Sequence, residues 1–98
     1  MPAYVLVDAE VHDPEVAARY RVLAEESIAR YGGRYLIQGT VPEVIEGDWP
    51  AGRVVTTLEF PDLDRLKEWH ASPEYTRAAA LRQGAIDVRM LFAEGRAA

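Results

Sequence analysis

Apolar side chains occupy both faces of the strands that this sequence predicts, and this limits the folds available to it. The segment 3–11 alternates with the period of two that is typical of a β-strand. One of its faces is apolar, while the other mixes residues such as Leu6 and Asp8. The segment 86–93 repeats the pattern, with Leu91 on the mixed face. A sheet built from such strands needs cover on two sides, whereas the helices of this chain are sufficient for one.

Helix caps and helix-ending residues divide the chain into its elements. Asp13 before Pro14, and Ser72 before Pro73, each supply a capping side chain followed by proline at the first helical position. A glycine pair at 32–33 ends the first helix. The predicted strands are residues 3–11, 34–39, 53–60 and 86–93, with a short edge strand at 41–45, and the predicted helices are residues 14–31, 63–69 and 73–82.

The order of these elements predicts one ferredoxin-like domain of the α+β class. It runs β-α-β-β-α-β, with the second helical part divided at Ser72, which is the split βαβ arrangement of helices on one side of an antiparallel sheet. We expect one domain over residues 1–95 and a short tail at 96–98, because 98 residues are near the low end of the size range in which a single core sustains itself. The face expected to meet the helices carries Val5, Val7, Ile37, Val54, Leu58, Val88 and Met90.

The opposite face of this sheet is too apolar to remain in water. Exposed apolar patches above a few hundred Å² usually mark interfaces, and a second copy related by a two-fold axis would cover this one. The sequence therefore predicts a homodimer, with a solvated mixed face as the alternative. The expected seam carries apolar Tyr4, Leu6, Leu36, Val55 and Leu91 among Asp8, Arg34, Glu59 and Arg89, which we interpret as interface ion pairs.

Composition argues against several partners and chemistries. A formal charge of -5, from 11 basic and 16 acidic residues, would repel nucleic acid. No run approaches the roughly 20 apolar residues that span a bilayer, and no leader pattern is present, so we expect a cytoplasmic protein without membrane contact. Cysteine is absent, and His12 and His70 are far apart, so we expect neither a metal nor thiolate chemistry. No glycine-rich phosphate loop occurs, so we expect no cofactor.

A series of aromatic, glycine and proline landmarks runs along almost the whole chain. In order they are Tyr20, Tyr31-Gly32-Gly33-Arg34-Tyr35, Glu46-Gly47-Asp48-Trp49, Leu58-Glu59-Phe60-Pro61, Trp69 with Ser72-Pro73-Glu74-Tyr75, and Leu81-Arg82. This series resembles the family catalogued as domain of unknown function 1330. The chain departs from the usual pattern at His70, where a tyrosine or another residue is expected.

The resemblance implies the dimeric α+β-barrel superfamily. Other branches of that superfamily include cofactor-independent monooxygenases of antibiotic pathways and muconolactone isomerases. In related barrels the small molecule usually lies between the helices and the sheet. The resemblance therefore implies a ligand cavity in that position, without implying a particular reaction.

The third predicted helix carries the best candidate for an anion site. Tyr75 and Arg82 share one face with two alanines between them, and their separation is about 10 Å along the axis. A carboxylated or enolic ligand would have room between the phenol and the guanidinium. The alternative is structural: Arg82 pairs with Asp87 or Glu74, and Tyr75 simply packs.

His70 is the candidate acid–base group, since its titration near neutrality suits proton transfer on a keto–enol substrate. Tyr20, Tyr35 or Tyr75 could donate to a developing oxyanion. Alternatively, His70 only caps the helix end or points to solvent. The predicted catalytic residues are thus His70, Tyr75 and Arg82, and the predicted substrate-binding residues are Tyr20, Arg34, Tyr35 and Trp69.

Two tryptophans have different expected roles. Trp69 recurs at helical spacing and is expected in the core more than in a binding platform. Trp49 lies in a loop between glycine and proline, where it would contact a partner or fold over the cleft as a lid.

Together these features predict a small-molecule enzyme without metal or nucleotide. It would be of the isomerase, cyclase or cofactor-independent oxygenase type and would act on a polar, oxidised organic substrate. One alternative is a non-catalytic ligand binder or sensor. Another is a dimerisation module with a filled interior. A void of about 300 Å³ or more would argue against this alternative.

Overall fold

The helix caps predicted from the sequence are formed in the computed structural model, which describes residues 1–96. The Asp13 carboxylate accepts a hydrogen bond from the Glu15 backbone N–H at 3.1 Å, and Ser72 Oγ accepts one from that of Tyr75, also at 3.1 Å. The end of the predicted tail, residues 97 and 98, lies outside the described residues. The strands are β1 (Ala3–Val11), β2 (Arg34–Thr40), β3 (Val54–Phe60) and β4 (Ile86–Glu94), and the helices are α1 (Pro14–Arg30), α2 (Leu63–His70) and α3 (Pro73–Leu81).

The four strands form one antiparallel sheet in the order β2-β3-β1-β4. This order, with the helices on one face, confirms the predicted ferredoxin-like α+β fold. The core lies between the sheet and the helices, and its largest fully buried side chains include Val5, Phe60, Leu66, Trp69 and Tyr75.

A bulge in β2 overturns one predicted side-chain orientation. Tyr35 pairs with Leu58, but the register then shifts so that Ile37 pairs with Thr57. Thr57 also pairs with Leu6, on the face away from the helices. Because a bulge adds a residue and reverses the alternation after it, Ile37 lies on that outer face as well. The prediction that Ile37 faces the helices is therefore wrong.

The predicted edge strand at 41–45 does not form. Residues 41–53 connect β2 to β3 without regular structure, and every residue from 41 to 52 is exposed. Pro42 has no N–H to donate to a strand partner, which favours an irregular path. Trp49 is 62% exposed, and its indole N–H donates to the Glu46 carbonyl at 2.9 Å. This segment borders the outer face of the sheet, so Trp49 is not a lid over the helix side.

The charged side chains of the outer face are paired within one chain. Arg89 and Arg53 both donate to Asp8 at 2.8 Å, and Arg34 donates to Glu59 at 2.7 Å. Hydrogen bonds from Arg89, reinforced by Arg53, lower the pKa of Asp8 to about 2. These charges thus pair within one chain and not, as predicted from the sequence, across an interface. A second copy could cover this face without leaving these charges unpaired.

Gly33 marks a close approach in the core, and its replacement provides a test of the packing. A Cβ at this position would lie 2.6 Å from the Phe60 ring and 2.9 Å from Ile28. Gly33→Ala is therefore expected to lower the free energy of unfolding by about 1–3 kcal/mol in urea titrations. Relief of the clash in a Phe60→Leu background should shrink this penalty. A stabilising Gly33→Ala, as at a roomy glycine site, would contradict the packing described here.

Candidate functional site

A cavity of about 110 Å³ lies between α1 and the sheet, at the position that the family resemblance implies. Its walls are mainly apolar, with Ala17 and Ala24 from α1 facing Val7, Leu58 and Met90 from the strands. The volume is below the roughly 300 Å³ that would argue against a dimerisation module with a filled interior. It is closer to a cavity of about 150 Å³ that admits benzene. Only a compact molecule would enter without rearrangement.

Three of the predicted substrate-binding residues, Tyr20, Tyr35 and Trp69, line this cavity. Trp69 is 1% exposed, and its indole N–H donates to Ser27 Oγ at 3.0 Å. It is thus a core residue, as expected, and also a cavity wall. Burial, assisted by the Glu25 charge, raises the pKa of Tyr35 to about 12, so this phenol is neutral at physiological pH.

A pair of tyrosines joins the first and third helices beside the cavity. The hydroxyl oxygens of Tyr20 and Tyr75 lie 3.0 Å apart, and the Tyr75 side chain is almost completely buried. Burial, with a smaller effect from Tyr75, raises the pKa of Tyr20 far above its ordinary value. Two neutral phenols that share one hydrogen bond keep one O–H proton in reserve. Within residues 1–96, no other side chain or carbonyl accepts that proton.

Arg82 does not form either of the ion pairs considered from the sequence. Asp87 instead accepts from Arg53 at 2.9 Å, and Glu74 accepts from the Tyr31 hydroxyl at 2.8 Å. In the part of the chain that the structure describes, the Arg82 side chain has no carboxylate within ion-pair distance.

One nitrogen of Arg82 is buried without a hydrogen-bond partner. It is Nε, the only buried side-chain polar atom left unpaired among residues 1–96. The guanidinium carbon lies 5.8 Å from the centroid of the Tyr20 ring. Burial lowers the pKa of Arg82, but its interactions with Tyr75 and Tyr20 raise the pKa by more. The pKa of Arg82 therefore lies above its ordinary value. A buried N–H without a partner is costly, which makes the Arg82 Nε–H a candidate binding group.

His70 lies at the end of α2 and packs against Tyr75. Its ring centroid is 5.6 Å from that of Tyr75 and 5.2 Å from that of Phe92. Burial, and to a lesser extent the Arg82 charge, lowers the pKa of His70 below 6.5. The lowered pKa favours the neutral imidazole at pH 7, and the residue as a whole is exposed. We call Tyr20, Tyr75 and Arg82 the phenol–guanidinium cluster, which His70 borders.

Arg34 is the predicted site residue that the structure brings neither to the cavity nor to this cluster. It lies on the outer face of the sheet, in an ion pair with Glu59. Conversely, Arg21 lines the cavity although the sequence did not indicate it, and so does Gln38, for which the alternation predicts the outer face of the sheet; that prediction is wrong. Gln38 donates to Glu25 at 2.7 Å, linking β2 to α1. Only the β2 bulge turns Gln38 toward the helices, and alternation in the sequence gives no signal of it.

Other kinds of site have no structural basis in the described residues. Among residues 1–96, no group of three or more histidine, cysteine, aspartate or glutamate side chains is placed to hold a metal ion. No helix in the same range is long and apolar enough to cross a membrane.

The family assignment follows from a match over almost the whole chain. The model of the domain of unknown function DUF1330 matches residues 2–96. The chain belongs to this family. The resemblance noted in the sequence is thereby confirmed. No curated protein matches the chain at the sequence level.

Solved structures share the fold of this DUF1330 protein at low sequence identity. RPA0582, a protein of unknown function from Rhodopseudomonas palustris, has a TM-score of 0.80 at 21% identity, covering 99% of this chain and 84% of its own. SnoaB, a cofactor-independent oxygenase from Streptomyces nogalater, has a TM-score of 0.69 at 15% identity, with coverage of 99% and 95%. A protein of Caulobacter crescentus CB15, provisionally described as an antibiotic biosynthesis monooxygenase, has a TM-score of 0.64 at 16% identity, with coverage of 98% and 91%.

Proposed function

We propose that this DUF1330 protein is a small-molecule enzyme that moves protons on a carbonyl compound, in the manner of an isomerase or cyclase. The observation that carries the proposal is the buried, unpaired Nε–H of Arg82 beside the Tyr20–Tyr75 pair, with a neutral histidine in contact. Such a grouping combines a base with donors to a developing negative charge.

His70 has the features of a general base. A lowered pKa keeps the imidazole unprotonated at pH 7, and its contact with Tyr75 places it next to the donor groups. Removal of a proton next to a carbonyl generates an enolate. The Arg82 cation and the spare phenol O–H are suited to stabilise the negative charge that develops on the ligand. The natural substrate would therefore be a polar, oxidised organic molecule.

A cofactor-independent oxygenase is the second candidate. It is favoured by the shared fold with SnoaB, and the same deprotonation would produce an electron-rich carbanion for reaction with oxygen. Oxygen-electrode measurements with each active compound separate the two classes. Consumption of oxygen matching substrate loss would favour the oxygenase, and substrate loss without it would favour the isomerase or cyclase.

Deuterium exchange tests the proposed base without knowledge of the natural product. We expect the wild-type protein to accelerate exchange into the acidic C–H positions of keto acids in D₂O, observed by proton NMR. His70→Gln should lower this rate by about a hundredfold or more. The wild-type rate should fall as pH falls through the lowered pKa of His70, because protonation removes the base.

His12 provides the matched control for this experiment. It lies in an exposed position 3.5 Å from Glu10, so His12→Gln should exchange at the wild-type rate. A non-catalytic binder would show ligand affinity but no acceleration in any variant. Equal exchange rates for His70→Gln and the wild type would remove His70 from the mechanism.

We further propose that two copies associate through the outer face of the sheet. Leu6, Leu36, Ile37 and Leu91 are each more than 40% exposed on this face. The segment 41–53 borders it and leaves a groove of about 810 Å³. A second copy would remove this apolar surface from water, and because the charges are paired within each chain, covering them would cost less than covering unpaired charges.

A further inference from the structure

We infer that the phenol–guanidinium cluster selects ligands carrying a carboxylate, so that the substrate is a small organic acid rather than a neutral carbonyl compound. This inference rests on the proposed function and deepens it, since it names the chemical class that the same site accepts. The juxtaposition that carries it is the unpaired Arg82 Nε–H and the spare phenol proton of the Tyr20–Tyr75 pair.

The first step of the argument is hydrogen-bond capacity. Arg82 offers a donor on a group that is always cationic, and the tyrosine pair offers a second donor on neutral oxygen. A neutral carbonyl oxygen can accept from both donors but carries no net charge, whereas a carboxylate is an anion and presents two oxygens, one for each donor. Hydrogen bonds between a cation and a carboxylate are also about twice as strong as neutral ones.

The second step is charge balance around the guanidinium. The neighbouring acids are already engaged: Glu74 accepts from Tyr31 at 2.8 Å, and Asp87 is bonded to Arg53. No carboxylate of residues 1–96 lies within ion-pair distance of Arg82. An incoming anion would supply the missing counter-charge, and a neutral ligand would leave the cation uncompensated.

The third step concerns the remainder of the ligand. Tyr20 belongs both to the cluster and to the cavity wall, so the apolar cavity lies beside the cluster, although Tyr75 and Arg82 do not themselves line it. A volume of about 110 Å³ is comparable to that of a cavity which accepts one benzene ring. The expected ligand therefore combines one acidic group with a short apolar body.

Benzoate and benzamide provide a direct test, because they match in shape and differ in charge. We expect benzoate to bind at least tenfold more tightly than benzamide in calorimetric titrations. Arg82→Gln should remove most of this preference, weakening benzoate at least tenfold and benzamide less than twofold. Arg77→Gln, at an exposed position on the same helix, should retain the wild-type preference.

A second measurement does not depend on any variant folding correctly. The Arg82 Nε–H signal of the ¹⁵N-labelled wild-type protein should shift on addition of benzoate at pH 7. Equal affinities for the two probes, or a shift confined to other arginines, would overturn the inference. So would a crystal structure in which an ordered water pairs with Nε while benzoate binds elsewhere.

The proposed proton transfer can fail independently of this inference. His70→Gln should retain benzoate affinity within about threefold, because the imidazole is not one of the two donors. Benzoate selectivity without exchange activity would leave the carboxylate site standing and reject the enzyme. Exchange activity without benzoate selectivity would support the proposed enzyme and reject the carboxylate site.

Discussion

Trp69→Ala is expected to lower the free energy of unfolding by about 3–5 kcal/mol, the usual cost of removing a large buried aromatic side chain. Trp69 is 1% exposed, and its ring lies 5.2 Å from that of Phe60 and 4.3 Å from that of Tyr75. Its loss would open a void between α2 and the sheet and leave Ser27 Oγ without the indole donor. Urea denaturation monitored by circular dichroism measures the change.

Two further substitutions divide this effect into its parts. Trp69→Phe keeps most of the volume but loses the hydrogen bond to Ser27, so it should cost less than Trp69→Ala. Val22→Ala, on a side chain that is 56% exposed on α1, should change stability by less than about 0.5 kcal/mol. Similar losses for Trp69→Ala and Val22→Ala would contradict the assignment of Trp69 to the core.

Leu91→Asp is expected to dissociate the proposed homodimer, raising its dissociation constant by about a hundredfold or more. Leu91 is 66% exposed and lies opposite Leu6 on the outer face. If this face is the interface, the new carboxylate would lose water without gaining a partner, which is strongly unfavourable. Sedimentation equilibrium over a range of protein concentrations measures the constant.

Val22→Asp is the matched control for association. It introduces the same charge at a side chain of similar exposure, 56%, on α1, away from the outer face. We expect this variant to remain dimeric, and both variants to keep the wild-type circular dichroism spectrum. A wild-type protein that sediments as a monomer at high concentration would reject the dimer, as would dissociation by both variants alike.

The elements of the fold could be predicted because their signals are local. The Asp13 and Ser72 side chains cap helices only a few residues away, so the sequence alone contains both donor and acceptor. The predicted β1 coincides with the observed strand, Ala3–Val11, because its alternation is uninterrupted. Where alternation breaks, prediction failed: the β2 bulge moved Ile37 to the outer face, and the segment containing Pro42 formed no strand.

The candidate site likewise has features that follow from local sequence and features that follow only from the tertiary structure. The sequence by itself determined that Tyr75 and Arg82 lie near each other, because their spacing on one helix fixes their separation. Only the tertiary structure decided that Arg82 lacks a carboxylate partner and that Tyr20 joins Tyr75, a residue 55 positions away. These contacts depend on how α1 packs against α3 and on which acids other arginines engage. Such long-range packing is set by the whole core, and no local pattern records it.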